Sequence, residues 1–421
     1  MKQLLRLIQL LAVALFPVAC HDGGVTGPGT TRLPRALTGS EQQLVAAQNA
    51  FAFKLYAAMA AREGPDPNIF ISPLSVSMAL GMTVNGAAGA TRDSMLAALQ
   101  LAGLPMDSVN RSYRSVIDLL RGLDPAVAFT LANSIWYRST FQAPGPAFLS
   151  DTRTFFDARV QALDFSAPTA AQTINDWVNQ QTRGKIPTIV PDPIDPAVVM
   201  YLINAIYFKG SWTQRFDSAL THDAPFTLRT GATVTASMMS HDSAAPARTF
   251  MGDGVTVVDL PYGGGAYSMT IVLPDASIDS LSAHLTQDRW NAWIAGLDST
   301  QAFVTMPKLK LTYDRALNVP LWALGMGIAF ACVPGGADLS RMYPGAARGD
   351  FCISNVKHKT YVDVDEEGTE AAAVTSVEIS VSSMSAGPPH IVVDHPFIVA
   401  IRERLTGTIL FLGRVMNPVA S

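Results

Sequence analysis

The sequence predicts a single mixed α+β domain, and three observations carry that expectation. Helix-period apolar patterns concentrate in the first half of the chain, while β-rich runs dominate the second. The 421 residues are 48% hydrophobic, enough for one large core, and no Pro/Gly/Ser-rich linker, repeat or charge block divides the interior. Residues 369–382 alternate as a half-buried strand does and then run directly into a small-residue loop.

Taken in order, residues 1–19 read as an export signal. Lys2 and Arg6 precede a short apolar run, Leu7 to Phe16, too short to span a bilayer. Residues 20–40 are rich in Gly, Thr and Pro and are expected to form a disordered tether. The domain proper is expected over 41–421. Ser40 or Glu41 opens an amphipathic helix through Ala61, with Phe51, Leu55 and Met59 at helical spacing. Asn68 to Ile71 is a short strand, and Ser72-Pro73 starts the next helix with Ser near the cap and Pro in the first turn. Phe129 to Tyr137 and Val199 to Phe208 are apolar and β-rich, as central strands are, with Gly210-Ser211 ending the second. Val255 to Leu260 and Tyr267 to Leu273 flank the Gly263-Gly264-Gly265 turn and read as a hairpin. Val304 to Leu311, Val356 to Val364, Ile391 to Ile401 and Thr408 to Arg414 supply further strands.

The segment EEGTEAAAVTSVEISVS, residues 366–382, supports two readings. Glu366, Glu367, Glu370, Ala371, Ala372 and Ala373 favour helix, yet Gly368 interrupts them and β-branched residues follow. From Thr369 onward a period of two puts Thr369, Ala371, Ala373, Thr375, Val377, Ile379 and Val381 on one face. The pattern alone fits an ordinary edge strand or a frayed helix before a turn. It also fits, though less directly, a chain that can be cut in the following loop, SSMSAGPPH, and then folded into a sheet.

GTEAAA beside a sheet-compatible run resembles the reactive-centre-loop hinge of serpins, and the likeness extends along the chain. PNIFISPLSVSMALGMTVNGAAGATRDSML (67–96), INDWVNQQTRGKI (174–186), LINAIYFKGSWTQRF (202–216) and MPKLKLTYD (306–314) are similar to family blocks. LGMGIAF (324–330), ADLSRM (337–342), ISNVKHKTYVDVDEEGTEAAA (353–373) and DHPFIVAIRERLTGTILFLGRVMNP (394–418) follow in the family's order. The resemblance covers roughly residues 41–418. It implies the serpin fold: three β-sheets, eight or nine helices and an exposed reactive-centre loop, here about residues 366–390.

The resemblance also implies a mechanism. A target serine protease attacks the loop, is held as an acyl-enzyme, and is carried away as the freed loop inserts into the main sheet. The inward hinge face here, Thr369, Ala371 and Ala373, is small and uncharged, as insertion requires. Ser72, Ser75, Asn204 and His358 match the family's shutter, where small hydroxyls and an Asn/His pair suit bonds that must be exchanged; capping of a helix is an alternative role for the two serines. Trp212 matches the breach, or is an ordinary core Trp. Lys308 and Glu366 match a breach ion pair, or form a solvated pair. Hinge spacing places the scissile bond at Ser382-Ser383, whereas side-chain size favours Met384-Ser385. Either bond implies elastase-like or subtilisin-like targets, Met adding chymotrypsin-like ones, with cysteine proteases as secondary targets. No Arg or Lys lies between Glu378 and His390 to suit a trypsin-like pocket.

Val18-Ala19-Cys20 resembles the end of a bacterial lipoprotein signal, from which Pro17 departs. Lipidation of Cys20 would make the membrane a partner through a lipid anchor alone; plain secretion leaves Cys20 incidental. Cys332 and Cys352 then remain, as a disulfide that export permits or as two free thiols. A net charge of −4 without a basic cluster excludes a nucleic-acid partner. No GxSxG, HExxH, Walker loop or strand–GxGxxG–helix occurs, and Cys/His metal spacing is absent, so neither a cofactor, a metal nor an enzyme is expected. The expected protein is a monomeric serine protease inhibitor. A non-inhibitory serpin acting as a binding or chaperone-like protein is the alternative.

Overall fold

The computed structural model describes residues 30–369 and 387–420. The main sheet has six strands. In spatial order they are β11 (Leu309–Ala316), β12 (Lys357–Asp365), β13 (Gly368–Thr369), β4 (Met200–Ser211), β2 (Val127–Arg138) and β3 (Arg159–Leu163). All neighbours are antiparallel except β2 and β3.

Two further sheets share strand β10 (Asp298–Pro307). Its first half pairs with β7 (Ala245–Gly252), which leads through β8 (Val255–Tyr262), β9 (Tyr267–Pro274), β15 (Phe397–Glu403) and β16 (Ile409–Val415) to β1 (Ile69–Ile71). Its second half pairs with β6 (Thr233–Ser240), which is flanked by β5 (Asp217–Thr227), and with β14 (His390–Val392). The three expected sheets are therefore present, two of them joined through one strand.

Among the described residues the α-helices are α1 (Gly39–Glu63), α2 (Pro73–Gly86), α3 (Gly89–Ala98), α4 (Met106–Leu120), α5 (Pro146–Phe156), α6 (Ala170–Gln181), α7 (Ile278–Ala283), α8 (Gln287–Ala295) and α9 (Asn318–Leu321). The structure supports the expected crowding of helices towards the N-terminal half. Strands β9, β15 and β16 are buried on both faces, which explains their unbroken apolar runs. Helix α2 lies between the main sheet and β16, touching both. On the opposite face of the main sheet, α6 packs Ile174, Trp177 and Val178 against Trp136 of β2 and Ile203 and Ala205 of β4.

Several expectations need correction. Residues 30–40 do not continue a disordered tether: Thr30 N–H donates to Gly264 O (2.7 Å), and Leu33 packs on the core. Arg35 reaches both Glu41 and Ser115. Helix α1 starts at Gly39, because Thr38 and Glu41 form a capping box two residues earlier than Ser40 would. Val304 to Leu311 is two strands. The buried positions change phase from Val304 and Met306 to Leu309 and Leu311, and the chain passes from one sheet to another at Lys308. Ile391 to Ile401 is likewise two strands, β14 and β15, divided ahead of Pro396, which has no N–H for a ladder. Strands β3, β5, β6 and β7 are additions to the expected set, although 233–238 of β6 and 159–162 of β3 do alternate polar and apolar residues.

Candidate functional site

The main sheet has its shortest strand in the middle of its order. Strands β12 and β4 flank β13, which holds only Gly368 and Thr369. Thr369 faces Val364 on one side and Gly210 on the other. Beyond it, no strand among the described residues pairs with the facing edges of 357–363 and 200–209. Among the described residues β13 is thus the strand that touches both edges of the slot between β12 and β4, seated at its upper end.

That end is held by contacts from several elements. Asp365 Oδ1 accepts from the N–H groups of Glu367 (3.0 Å) and Gly368 (3.2 Å), folding the chain back from β12. Gly368 has φ +150°, and a Cβ there would lie 2.1 Å from Gly210 O, so no other residue fits. Trp212 N–H donates to Glu367 O (2.9 Å) and its indole N–H to Asp365 O (2.9 Å). Phe216 N–H donates to Glu366 O (2.9 Å). Tyr262 stacks on Trp212 with centroids 4.4 Å apart, and its hydroxyl meets Thr369 Oγ1 at 2.7 Å. Burial raises the Tyr262 hydroxyl far above its ordinary pKa, so it stays protonated in this bond.

The Glu366 carboxylate accepts from Lys308 Nζ (2.8 Å) and Thr221 Oγ1 (2.7 Å). Burial works to raise its pKa, but these hydrogen bonds outweigh burial and hold it below the ordinary carboxylate range. The Lys308 side chain is 41% exposed and that of Glu366 14%, so the pair is half-buried rather than fully solvated. Next to it His241 stacks on Phe216, ring centroids 3.9 Å apart, and burial lowers its pKa to about 4.

Beneath the slot lie the four polar residues matched to the shutter. Ser72 caps α2, accepting from Ser75 N–H at 3.4 Å. Ser72 Oγ donates to Leu410 O (2.7 Å), and its N–H donates to His358 Nε2 (3.0 Å). An imidazole that accepts through Nε2 is neutral there, and burial lowers the His358 pKa to about 4. Ser75 Oγ donates to Asn204 O (3.4 Å). The Asn204 amide donates to Asn133 Oδ1 (2.8 Å), not to His358, so the expected Asn/His pair is replaced by an Asn/Asn pair. Asn204 Oδ1 is buried with no hydrogen-bond partner among the described residues.

The structure thus brings Trp212, Lys308, Glu366, Glu367, Gly368 and Thr369 together at one end, and Ser72, Ser75, Asn204 and His358 below. Glu370, Ala371, Ala372, Ala373, Ser382, Ser383, Met384, Ser385 and Cys20 lie outside the described residues. Cys332 and Cys352 are joined as a disulfide, Cα atoms 5.2 Å apart. Sequence reasoning missed Tyr262, Thr221, Asp365 and Asn133. Asp365 was legible in principle, because an Asp three residues before a Gly is a common turn former. The others come from distant strands and carry no local signal. Among the described residues no group of three or more His, Cys, Asp or Glu could hold a metal, and no helix is long and apolar enough to cross a membrane.

Gly368 and Thr369 thus lie between β12 and β4, enclosed by Trp212, Tyr262 and the Lys308–Glu366 pair. The chain matches the family model of serpins, serine protease inhibitors, over residues 46–418. It is 36% identical to leukocyte elastase inhibitor of Sus scrofa over 388 residues, 90% of this chain and 100% of that one. It is also 36% identical to iripin-1 of Ixodes ricinus, over 83% of this chain and 89% of that one. Among solved structures it superposes on human thyroxine-binding globulin complexed with thyroxine, with a TM-score of 0.80 at 29% identity, covering 91% of this chain and 100% of that one. It also superposes on tengpin, a thermophilic serpin in its native state, with a TM-score of 0.79 at 30% identity, covering 91% and 95%. This chain belongs to the serpin family.

Proposed function

We propose that the protein is a suicide-substrate inhibitor of serine endopeptidases. A target protease cleaves the loop at Ser382-Ser383, with Met384-Ser385 as the other candidate bond, and forms an ester through its own serine. The freed segment from Thr369 then enters between β12 and β4 as an antiparallel strand and draws the acyl-enzyme with it. The observation that carries this reading is β13: Thr369, the first residue of the insert, already pairs with both neighbours of the slot.

The surrounding residues take roles accordingly. Trp212, Lys308 and Glu366, with Tyr262, act as the breach that must part for residues 370 onward to follow Thr369. Ser72, Ser75, Asn204 and His358 act as the shutter; the unpartnered Asn204 Oδ1 leaves an acceptor ready for a bond made only after insertion. A small residue before the cut suits elastase-like and subtilisin-like pockets, and several matched relatives are named leukocyte elastase inhibitors. Chymotrypsin-like enzymes and, secondarily, cysteine proteases complete the target range. The leader reads as that of a bacterial envelope protein, exported and anchored through a lipid on Cys20, acting as a monomer.

Incubation with elastase, subtilisin and chymotrypsin tests the reading. The expected result is a covalent complex that survives SDS, with the released C-terminal peptide beginning at Ser383 by mass spectrometry, or at Ser385 for the alternative bond. Cleavage by every protease without any such complex would leave a non-inhibitory binding protein instead.

A further inference from the structure

We infer that the N-terminal segment fixes the anchor to the insertion end of the main sheet, so that this end faces a phospholipid bilayer and the opposite end points away. The inference rests on the reading of Cys20 as lipidated, and adds to it which surface of the body meets the membrane.

The attachment is built from backbone and side-chain bonds. Thr30 N–H donates to Gly264 O (2.7 Å), in the turn between β8 and β9. The same turn is tied to the mouth of the slot. Gly263 N–H donates to Ser211 O (2.8 Å) at the end of β4, and Thr213 Oγ1 donates to Gly263 O (2.8 Å). Gly264 N–H donates to Asp124 Oδ2 (2.9 Å), just ahead of β2. Arg35 Nη2 then reaches Ser115 Oγ (2.6 Å) on α4 while its guanidinium forks onto Glu41, holding the following residues along the body. Thr30, the first described residue, therefore lies at the same end of the sheet as Thr369.

Chain length turns this contact into a limit. Cys20 precedes Thr30 by ten peptide steps, which span at most about 36 Å even when fully extended. Strand β2 runs from Val127, paired with Gly210 at the slot mouth, to Arg138 at the opposite end, about 37 Å at 3.4 Å per residue. A lipidated Cys20 thus keeps the insertion end within one sheet length of the headgroups. Steric exclusion of a body tethered at one end turns the remainder outward. A protease cut at this surface would be caught near the bilayer and carried away from it as the loop inserts.

The test uses the full-length chain purified with its native N-terminal modification. It is reconstituted into phosphatidylcholine/phosphatidylglycerol vesicles bearing an acceptor dye on the headgroups. A donor is placed at Pro125→Cys, exposed at the insertion end, or at Thr140→Cys, exposed beyond Arg138. Each labelled chain is first matched to the unlabelled one by melting midpoint, with Ser139→Cys as the substitute if Thr140→Cys fails to match. A separation of about 37 Å predicts transfer at least about two-fold higher from position 125. Equal or reversed transfer, with a lipid found on Cys20 by mass spectrometry, overturns the inference alone. An unmodified Cys20 with no vesicle association overturns both the anchor and the orientation drawn from it.

Discussion

At the scale of single residues, Thr369 and His358 make the sharpest predictions. Thr369 is buried, bonded to Tyr262 and flanked by two strands, so Thr369→Arg places a charge where nothing pairs it. We expect the loop still to be cut but the SDS-stable complex to fall by at least about ten-fold, since an unpaired buried charge costs several kcal/mol and a tenfold change needs only about 1.4 kcal/mol. Undiminished complex on gels would refute the assignment of Thr369 as the leading inserted residue. His358 gives a pH signature. Its pKa is lowered to about 4 in the folded protein against about 6.5 unfolded, so the unfolded chain binds the proton more readily between those values. The stabilisation is fully present above about pH 6.5 and is lost as pH falls towards 4, by about 3 kcal/mol in total. Urea midpoints of wild type and His358→Asn should converge in slope above pH 7 and separate below it, the variant losing less on acidification; parallel curves would sink the point. His241, also lowered to about 4, adds to the wild-type slope in both proteins and cancels in the comparison.

At the scale of elements, strand identity was legible wherever burial imposed a clear period. The β8–β9 hairpin, the two long central strands and the strand preceding the hinge all lie where alternation and apolar runs place them. Errors fell where one apolar run serves two sheets, at Lys308 and before Pro396, because local pattern reports burial and not which neighbour supplies it. The phase change between Met306 and Leu309 was visible and marks the first of these breaks. Of the site, residues 365–369 were readable as a continuous motif, whereas Tyr262, Thr221 and Asn133 join it only through folding. The disulfide belongs to this scale as well. It closes a loop between Cys332 and Cys352, separated by 20 positions, that carries Asp338 and Met342 onto α2 and α3. Loop-closure entropy predicts that replacing both cysteines by Ala lowers stability by about 3 kcal/mol, measured by denaturant titration without reductant. A loss under about 0.5 kcal/mol would mean that the packing of Tyr343 and Phe351 holds the loop unaided.

At the scale of the whole molecule, the proposed function requires that the uncut chain stop short of its fullest sheet, with the interval between β12 and β4 as the place to be filled. Filling it would pair two rows of backbone groups and bury apolar side chains on the inward face, each worth about 1.5 to 3 kcal/mol when fully covered. Loop cleavage should therefore raise the thermal midpoint by well over 10 °C, since a few degrees per kcal/mol is usual for a chain of this size; calorimetry finding cut and uncut protein alike would discard the slot as an insertion site. One further consequence follows from Lys308. It sits where the chain passes from β10 to β11, its N–H donating to Ser237 O on β6 (2.9 Å) while its ammonium holds Glu366. One side chain and its own backbone thus clasp the neighbouring sheet to the start of the reactive segment, so whatever loosens Glu366 also unfastens the two sheets from each other at that corner.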